Sequence, residues 1–167
     1  MKYAKIIPYD TGNYVGINAT IFLTGCTIGC KGCFNKEIQD FKSGREFGKD
    51  EQSSFIQLAK DPKISHICIL GGEPFDQDLY ELYDFVAELK HEVGKPIVVW
   101  TGRKYYDIYN NRDKRVILRM VDILIDGPFM EELKDPNLIA RGSSNQRIID
   151  VQKSLDQTQL TFININW

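Results

Sequence analysis

Ala19-Thr20-Ile21-Phe22-Leu23-Thr24-Gly25-Cys26-Thr27-Ile28-Gly29-Cys30-Lys31-Gly32-Cys33-Phe34 runs from an apolar, β-branched stretch into a glycine and then into three cysteines. The first six residues have the length and composition of a buried strand, and the glycine marks where it turns. The same unit recurs along the chain. Ser65 to Leu70 ends in Gly71-Gly72, Pro96 to Trp100 in Thr101-Gly102, and Val121 to Ile125 in Asp126-Gly127-Pro128. Arg147 to Val151 is a weaker fifth strand, and Thr158 to Ile165 a candidate for the last.

Helical patterns lie between these runs. The clearest places Leu79, Leu82, Tyr83, Val86, Leu89 and Val93 on one face and stops at Gly94-Lys95-Pro96. Gln52 to Lys60, opened by Asp50, is a second, and Arg112 to Met120 a third. Alternating strands and helices predict an α/β fold in one domain, with a mostly parallel sheet covered by helices. Right-handed crossovers would bring every strand-to-helix turn to one edge of the sheet, where α/β proteins place their sites. A closed eight-stranded barrel takes about 250 residues. The 167 residues here predict a short, partly open (β/α) barrel, with residues 1–150 forming it and 151–167 a C-terminal extension.

The composition is 43% hydrophobic and 26% charged, which excludes a disordered or collagen-like chain. A net charge of -2 argues against a protein that coats nucleic acid, and no apolar run approaches the ~20 residues of a membrane span. A cytoplasmic protein is expected, in which clustered cysteines are metal ligands or catalytic groups rather than disulfides.

The cysteines are spaced Cys26-x3-Cys30-x2-Cys33. Gly25, Gly29 and Gly32 permit the tight wrap that would let three thiolates converge. Iron-sulfur clusters are held by cysteine thiolates. A loop that supplies three leaves one iron of a four-iron cube open to a substrate. The competing readings are a zinc site and a redox dithiol. A zinc site needs a fourth ligand from Cys68, His66 or His91. Cys68 lies within a strand run and is better read as a small buried hydrophobe.

The cysteine loop, with Phe34 after its last ligand, resembles the cluster motif of radical S-adenosylmethionine enzymes. Gly71-Gly72-Glu73-Pro74 is similar to the superfamily's glycine-rich segment for the methionine moiety. A narrower set follows in order: Trp100-Thr101-Gly102, Ile125-Asp126-Gly127, Leu133-Lys134-Asp135-Pro136 and Arg141-Gly142-Ser143-Ser144-Asn145-Gln146. With Pro8 and Asp10 near the start, it resembles the activating proteins of anaerobic (class III) ribonucleoside-triphosphate reductases over residues 3 to 149. Three departures stand out: the family's early Asn-Gly-Pro-Gly is replaced around Thr11 to Gly16, its aspartate by Glu73, and its tyrosine by Phe34. The segment after Asp150 runs past the family's usual end.

The resemblance implies a barrel of the radical S-adenosylmethionine type. Cys26, Cys30 and Cys33 would hold a [4Fe-4S] cluster. Gly32, Cys33, Phe34, Gly71, Gly72, Glu73, Thr101 and Asp126 would contact S-adenosylmethionine, with Phe34 near the adenine and Glu73 near the amino group. Thr101 and Asp126 could equally cap turns, and Arg141 to Gln146 could line the site or meet the partner. No side chain is expected as acid or base. The implied activity is that of an activase that makes the glycyl radical on the anaerobic reductase, its protein partner. It would take its electron from a low-potential donor such as a flavodoxin, with no nucleic-acid or membrane partner. The alternatives are an activase of the pyruvate formate-lyase type, a small-molecule radical enzyme and a zinc-binding module.

Overall fold

The computed structural model describes residues 1–157 and 159–165; Thr158, Asn166 and Trp167 lie outside the described residues. The strand predicted from Thr158 therefore begins, and the extension to Trp167 ends, outside them.

The strand runs β2 (Asn18–Leu23), β4 (His66–Gly71), β5 (Ile97–Trp100) and β6 (Ile123–Asp126) form where the apolar periodicity put them. They lie side by side and parallel. Around this centre the sheet departs from expectation. β1 (Lys2–Asp10) and β3 (Arg45–Glu46) precede β2 in strand order; β7 (Arg147–Asp150) and β8 (Thr161–Phe162) follow β6. All four outer pairings are antiparallel. The sheet is thus mixed rather than mostly parallel, and the described residues form one eight-stranded sheet with β3 and β8 at its two ends. At β1 connection length is the physical reason. A parallel return needs a crossover of a dozen or more residues, and the link from β1 to β2, residues 11–17, is too short for one. β1 escaped the sequence reading because Pro8 and its lysines break the apolar pattern. Its register shifts between Ile7 and Asp10, and β3 pairs only at Lys2 and Tyr3, so Pro8 sits beside an open edge.

Helix α1 (Lys49–Ala59) begins before Asp50, with Gly48 at its N-cap and Asp50 in its first turn. α2 (Leu79–Glu92) is capped by Asp78, whose carboxylate accepts from the Tyr80 and Glu81 amides. On α2 the core face is Leu82, Phe85, Val86 and Leu89; Tyr83 is exposed, and Phe85 packs edge-on to Phe47 at 4.9 Å. α4 (Arg112–Leu118) is capped by Asn111. The short α3 (Tyr105–Tyr109) and α5 (Val151–Asp156) carry too few residues for periodicity to reveal.

The strands divide their side chains by period 2. Ala19, Ile21 and Leu23 of β2, Ile67 and Ile69 of β4, Ile97 and Val99 of β5 and Leu124 of β6 join the helices in the main core. Phe22, Cys68, Leu70, Val98 and Ile125 face the other way, into a smaller cluster covered by loops and terminal segments. Among the described residues no α-helix contributes a side chain to that second cluster, and a cleft opens at the C-terminal ends of the parallel strands.

Candidate functional site

The cleft has a volume of about 350 Å3, within the range of small-molecule sites. Its floor is Phe22, Leu70 and Trp100 from the second sheet face; its walls are the turns that follow β2, β4, β5 and β6. Eight of the sequence-predicted residues meet there: Cys26, Cys30, Cys33, Phe34, Gly71, Gly72, Glu73 and Thr101. Gly32 and Asp126 do not line it.

The cysteine loop is wound by glycines at φ 91° (Gly25), 66° (Gly29) and 69° (Gly32), a region that disfavours a Cβ. It is tied down at its start, where Gly25 N donates to the Ile38 carbonyl at 2.8 Å and Cys26 N to that of Gln39 at 2.9 Å. Backbone amides approach the sulfurs. Asn35 N donates to Cys33 Sγ at 3.4 Å. The Cys26 and Cys30 thiols are pushed up chiefly by burial. Amides of Ile28 and Gly29 at Cys26, and of Phe129 at Cys30, pull the other way. Among the described residues no three His, Cys, Asp or Glu side chains gather tightly enough to ligate one ion; the three thiols share a loop and a cleft wall, not a point. Phe34 stands at the rim, 58% exposed, with its ring 4.9 Å from that of Phe129 and the Lys134 ammonium 4.9 Å above it. Gly32 lies just outside, where a Cβ would meet the Glu131 carboxylate.

The turn after β4 locks against this loop. Gly72 N donates to the Leu23 carbonyl and Glu73 N to that of Gly25, both at 2.8 Å. A Cβ on Gly72 would stand 2.2 Å from the Gly25 oxygen, so only glycine allows the approach. Glu73 is buried and satisfied on both oxygens. Oε1 accepts from Thr101 Oγ1 at 2.7 Å and Phe75 N at 3.1 Å; Oε2 accepts from Gly102 N at 2.8 Å. Burial pushes its carboxyl above the usual range, and these donors only partly offset that. Thr101 bridges Glu73 to the Arg103 amide, which donates to Oγ1 at 3.0 Å. A single buried carboxylate thereby joins the turns after β4 and β5.

Asp126 is buried beside the cleft and committed to the scaffold. Its carboxylate accepts from Tyr105 N at 2.8 Å and from the Arg147 guanidinium. The groups weighed as a fourth zinc ligand lie elsewhere. Cys68 is buried within β4, its thiol pushed well up by burial. His66 starts that strand, five residues and about 16 Å of strand from Gly71, against Asn18 and Tyr14. His91 is exposed on α2.

Several site residues escaped the sequence reading. Asp10, read above only as part of the family pattern, accepts from Gly12 N, Asn13 N, Asn13 Nδ2 and Thr20 Oγ1 and so shapes the turn that brings Gly12 and Asn13 to the cleft. Asp76 takes Thr27 N at 2.8 Å, Thr27 Oγ1 at 2.6 Å and the Arg103 guanidinium, which pins the cysteine loop to two other turns. Asn35 and Gln39 line the wall as well. Asp76 and Arg103 show no local pattern, since their partners are distant in the chain. Of the polar segment Arg141 to Gln146, the residues Arg141, Gly142 and Gln146 line the cleft, and Ser144 is exposed.

Comparison with known proteins matches residues 13–149 to a family described as a 4Fe-4S single cluster domain. The chain is 37% identical over 152 residues to the anaerobic ribonucleoside-triphosphate reductase-activating protein of Pasteurella multocida, covering 89% of this chain and 96% of that protein. It is 36% identical over 150 residues to the protein of that name from Escherichia coli K12, covering 87% and 96%. It is 31% identical to the one from Enterobacteria phage T4, covering 89% and 93%.

Proposed function

The chain belongs to the family of anaerobic ribonucleoside-triphosphate reductase-activating proteins, and from that premise we propose that it cleaves S-adenosylmethionine reductively in this cleft to place the glycyl radical on the reductase. The observation that carries the reading is convergence. Three thiols from the turn after β2 and a glycine-lined backbone turn and buried carboxylate from the turn after β4 share one cleft of small-molecule size.

The residues fit an iron-sulfur cluster. Cys26, Cys30 and Cys33 would hold it, with amide donors at the sulfurs to tune its potential. The chemistry that cluster and S-adenosylmethionine supply when bound is transfer of one electron, scission of the sulfonium into methionine and a 5′-deoxyadenosyl group, and hydrogen-atom removal from a glycine of the reductase. Everything else falls to the protein: binding, orientation and exclusion of water. Gly71 and Gly72 present backbone free of side chains to the methionine amino group. Glu73, fixed by three donors, holds negative charge behind them. Phe34 and Phe129 offer aromatic faces to the adenine. Thr101 and Asp126 act through the scaffold, Thr101 by fixing Glu73 and Asp126 by fixing Arg147 and the start of α3. No side chain serves as acid or base.

The partner is the anaerobic reductase. The electron comes from a low-potential donor such as a flavodoxin, in the reducing cytoplasm that keeps the thiols free. No helix of the described residues is long and apolar enough to cross a membrane. Anaerobic reconstitution with iron and sulfide, followed by dithionite and S-adenosylmethionine, should yield 5′-deoxyadenosine. Adding the reductase should yield the glycyl doublet in electron spin resonance. About one zinc per chain without acid-labile sulfide would overturn the reading.

A further inference from the structure

The cleft wall carries two charged side chains besides the cysteines, Glu73 and Arg141. Glu73 is engaged on both oxygens. Arg141 is not engaged in proportion to its charge. Nearby, Arg103 is paired with Asp76 and Arg147 with Asp126. Arg141 has, among the described residues, one hydrogen bond, from Nη1 to the Gln146 carbonyl at 3.3 Å, and a buried Nε without a partner. A guanidinium has five donors in a planar fork, and leaving a buried one unmet is costly.

The surroundings hold it there. Ala140 is the only non-glycine residue with positive φ, at 60°, among the described residues. That conformation is unfavourable for a residue with a Cβ, and such outliers concentrate at functional sites. Trp100 Nε1 holds it by donating to the Ala140 carbonyl at 2.7 Å. Beyond Arg141, the Gln146 side chain accepts from Gly142 N at 2.8 Å and Ser143 N at 3.2 Å and donates to the Gly127 carbonyl at 3.0 Å. Asn145 Nδ2 donates to the Pro128 carbonyl at 2.8 Å. The polar Ser-Ser-Asn-Gln run is thus a clamp that keeps a strained turn closed and its arginine on the cleft wall.

We propose that Arg141 is the carboxylate-binding residue of this cleft, receiving the α-carboxylate of S-adenosylmethionine. The inference rests on the function proposed above. That ligand carries an ammonium, a sulfonium and one carboxylate, and only the carboxylate suits an unpaired guanidinium, which meets it with two parallel N–H donors. The two cationic centres are repelled from Arg141, while Glu73, in the turn after β4, lines the same cleft. The methionine head therefore has a defined polarity before any chemistry begins.

The test is equilibrium binding to anaerobically reconstituted protein, using S-adenosylmethionine and its decarboxylated analogue. It compares wild type, Arg141→Gln and Arg141→Lys at equal iron and sulfide content. Arg141→Gln should weaken S-adenosylmethionine by about 10-fold or more and leave the analogue within about twofold. Arg141→Lys, which keeps charge and stem but not the fork, should fall between. Equal weakening of both ligands, or of neither, overturns the proposal. So does a variant that binds S-adenosylmethionine normally and loses only affinity for the reductase, since the anion would then belong to the partner. Wild type that holds a cluster and binds neither ligand sinks the parent reading as well, and does so before any variant is compared.

Discussion

Gly72→Ala probes the contact on which the cleft is built. The added Cβ would lie 2.2 Å from the Gly25 carbonyl oxygen and 2.8 Å from its carbon, where real Cβ atoms stay beyond 3.0 Å. The obstacle is backbone, so no rotamer relieves it. The turn after β4 and the start of the cysteine loop must separate by close to an ångström, and the 2.8 Å bond from Glu73 N to the same oxygen is lost or bent. One compromised hydrogen bond costs about 1 kcal/mol and overpacking roughly 1–3 kcal/mol, together about 2–4 kcal/mol. For a domain of this size each kcal/mol moves Tm by about 2–4 °C, so the variant should melt roughly 4–16 °C lower. Thermal unfolding of the cluster-free protein measures this without reference to activity. Gly12→Ala is the control. It lies on the same cleft, but its Cβ would meet only the Asp10 carboxylate, at 3.6 Å, an ordinary contact. If Gly72→Ala melts within about 1 °C of wild type, or Gly12→Ala falls as far, the close-approach argument is wrong.

Three further outcomes are expected. Asp76→Asn should loosen the cysteine loop by about 1–3 kcal/mol through the weakened Thr27 and Arg103 bonds. Burial raises the Asp76 carboxyl, but these donors outweigh it and hold it below its ordinary 3.8. Its contribution is therefore present above that value and fades as pH falls through the lower folded-state value. Urea titrations should show the gap from wild type closing in that acid window; a gap that widens there would contradict the assignment. Arg147→Met leaves the buried Asp126 charge with only the Tyr105 amide. It should cost about 3–5 kcal/mol by urea unfolding, and a loss under about 1 kcal/mol would mean the pair behaves as a surface one. Cys30→Ala should abolish iron and sulfide retention while far-ultraviolet circular dichroism stays native, because the loop lies outside both cores. Stoichiometric iron and sulfide in that variant would remove Cys30 from the ligand set.

The parallel centre of the sheet and the residues of its turns were legible because their signals are local. Apolar β-branched runs closed by glycine place β2, β4, β5 and β6 wherever they pack, and right-handed crossovers then send Cys26–Cys33, Gly71–Glu73 and Thr101 to one edge. What only the tertiary structure decided is whatever two distant segments settle between them. The antiparallel flank at β1 follows from a short connection, whereas residues 127–146 between β6 and β7 are long enough for a crossover and the strands pair antiparallel all the same; no single run of residues encodes either. Asp76 carries no local signal of its role until Thr27, 49 residues away, and Arg103, 27 away, close on it. Arg141 reads as a polar loop residue until Trp100, 40 residues from Ala140, fixes the turn that carries it. Periodicity and turn propensity act between neighbours in the chain, whereas charge pairing and close approach act between neighbours in space, and folding alone makes those known.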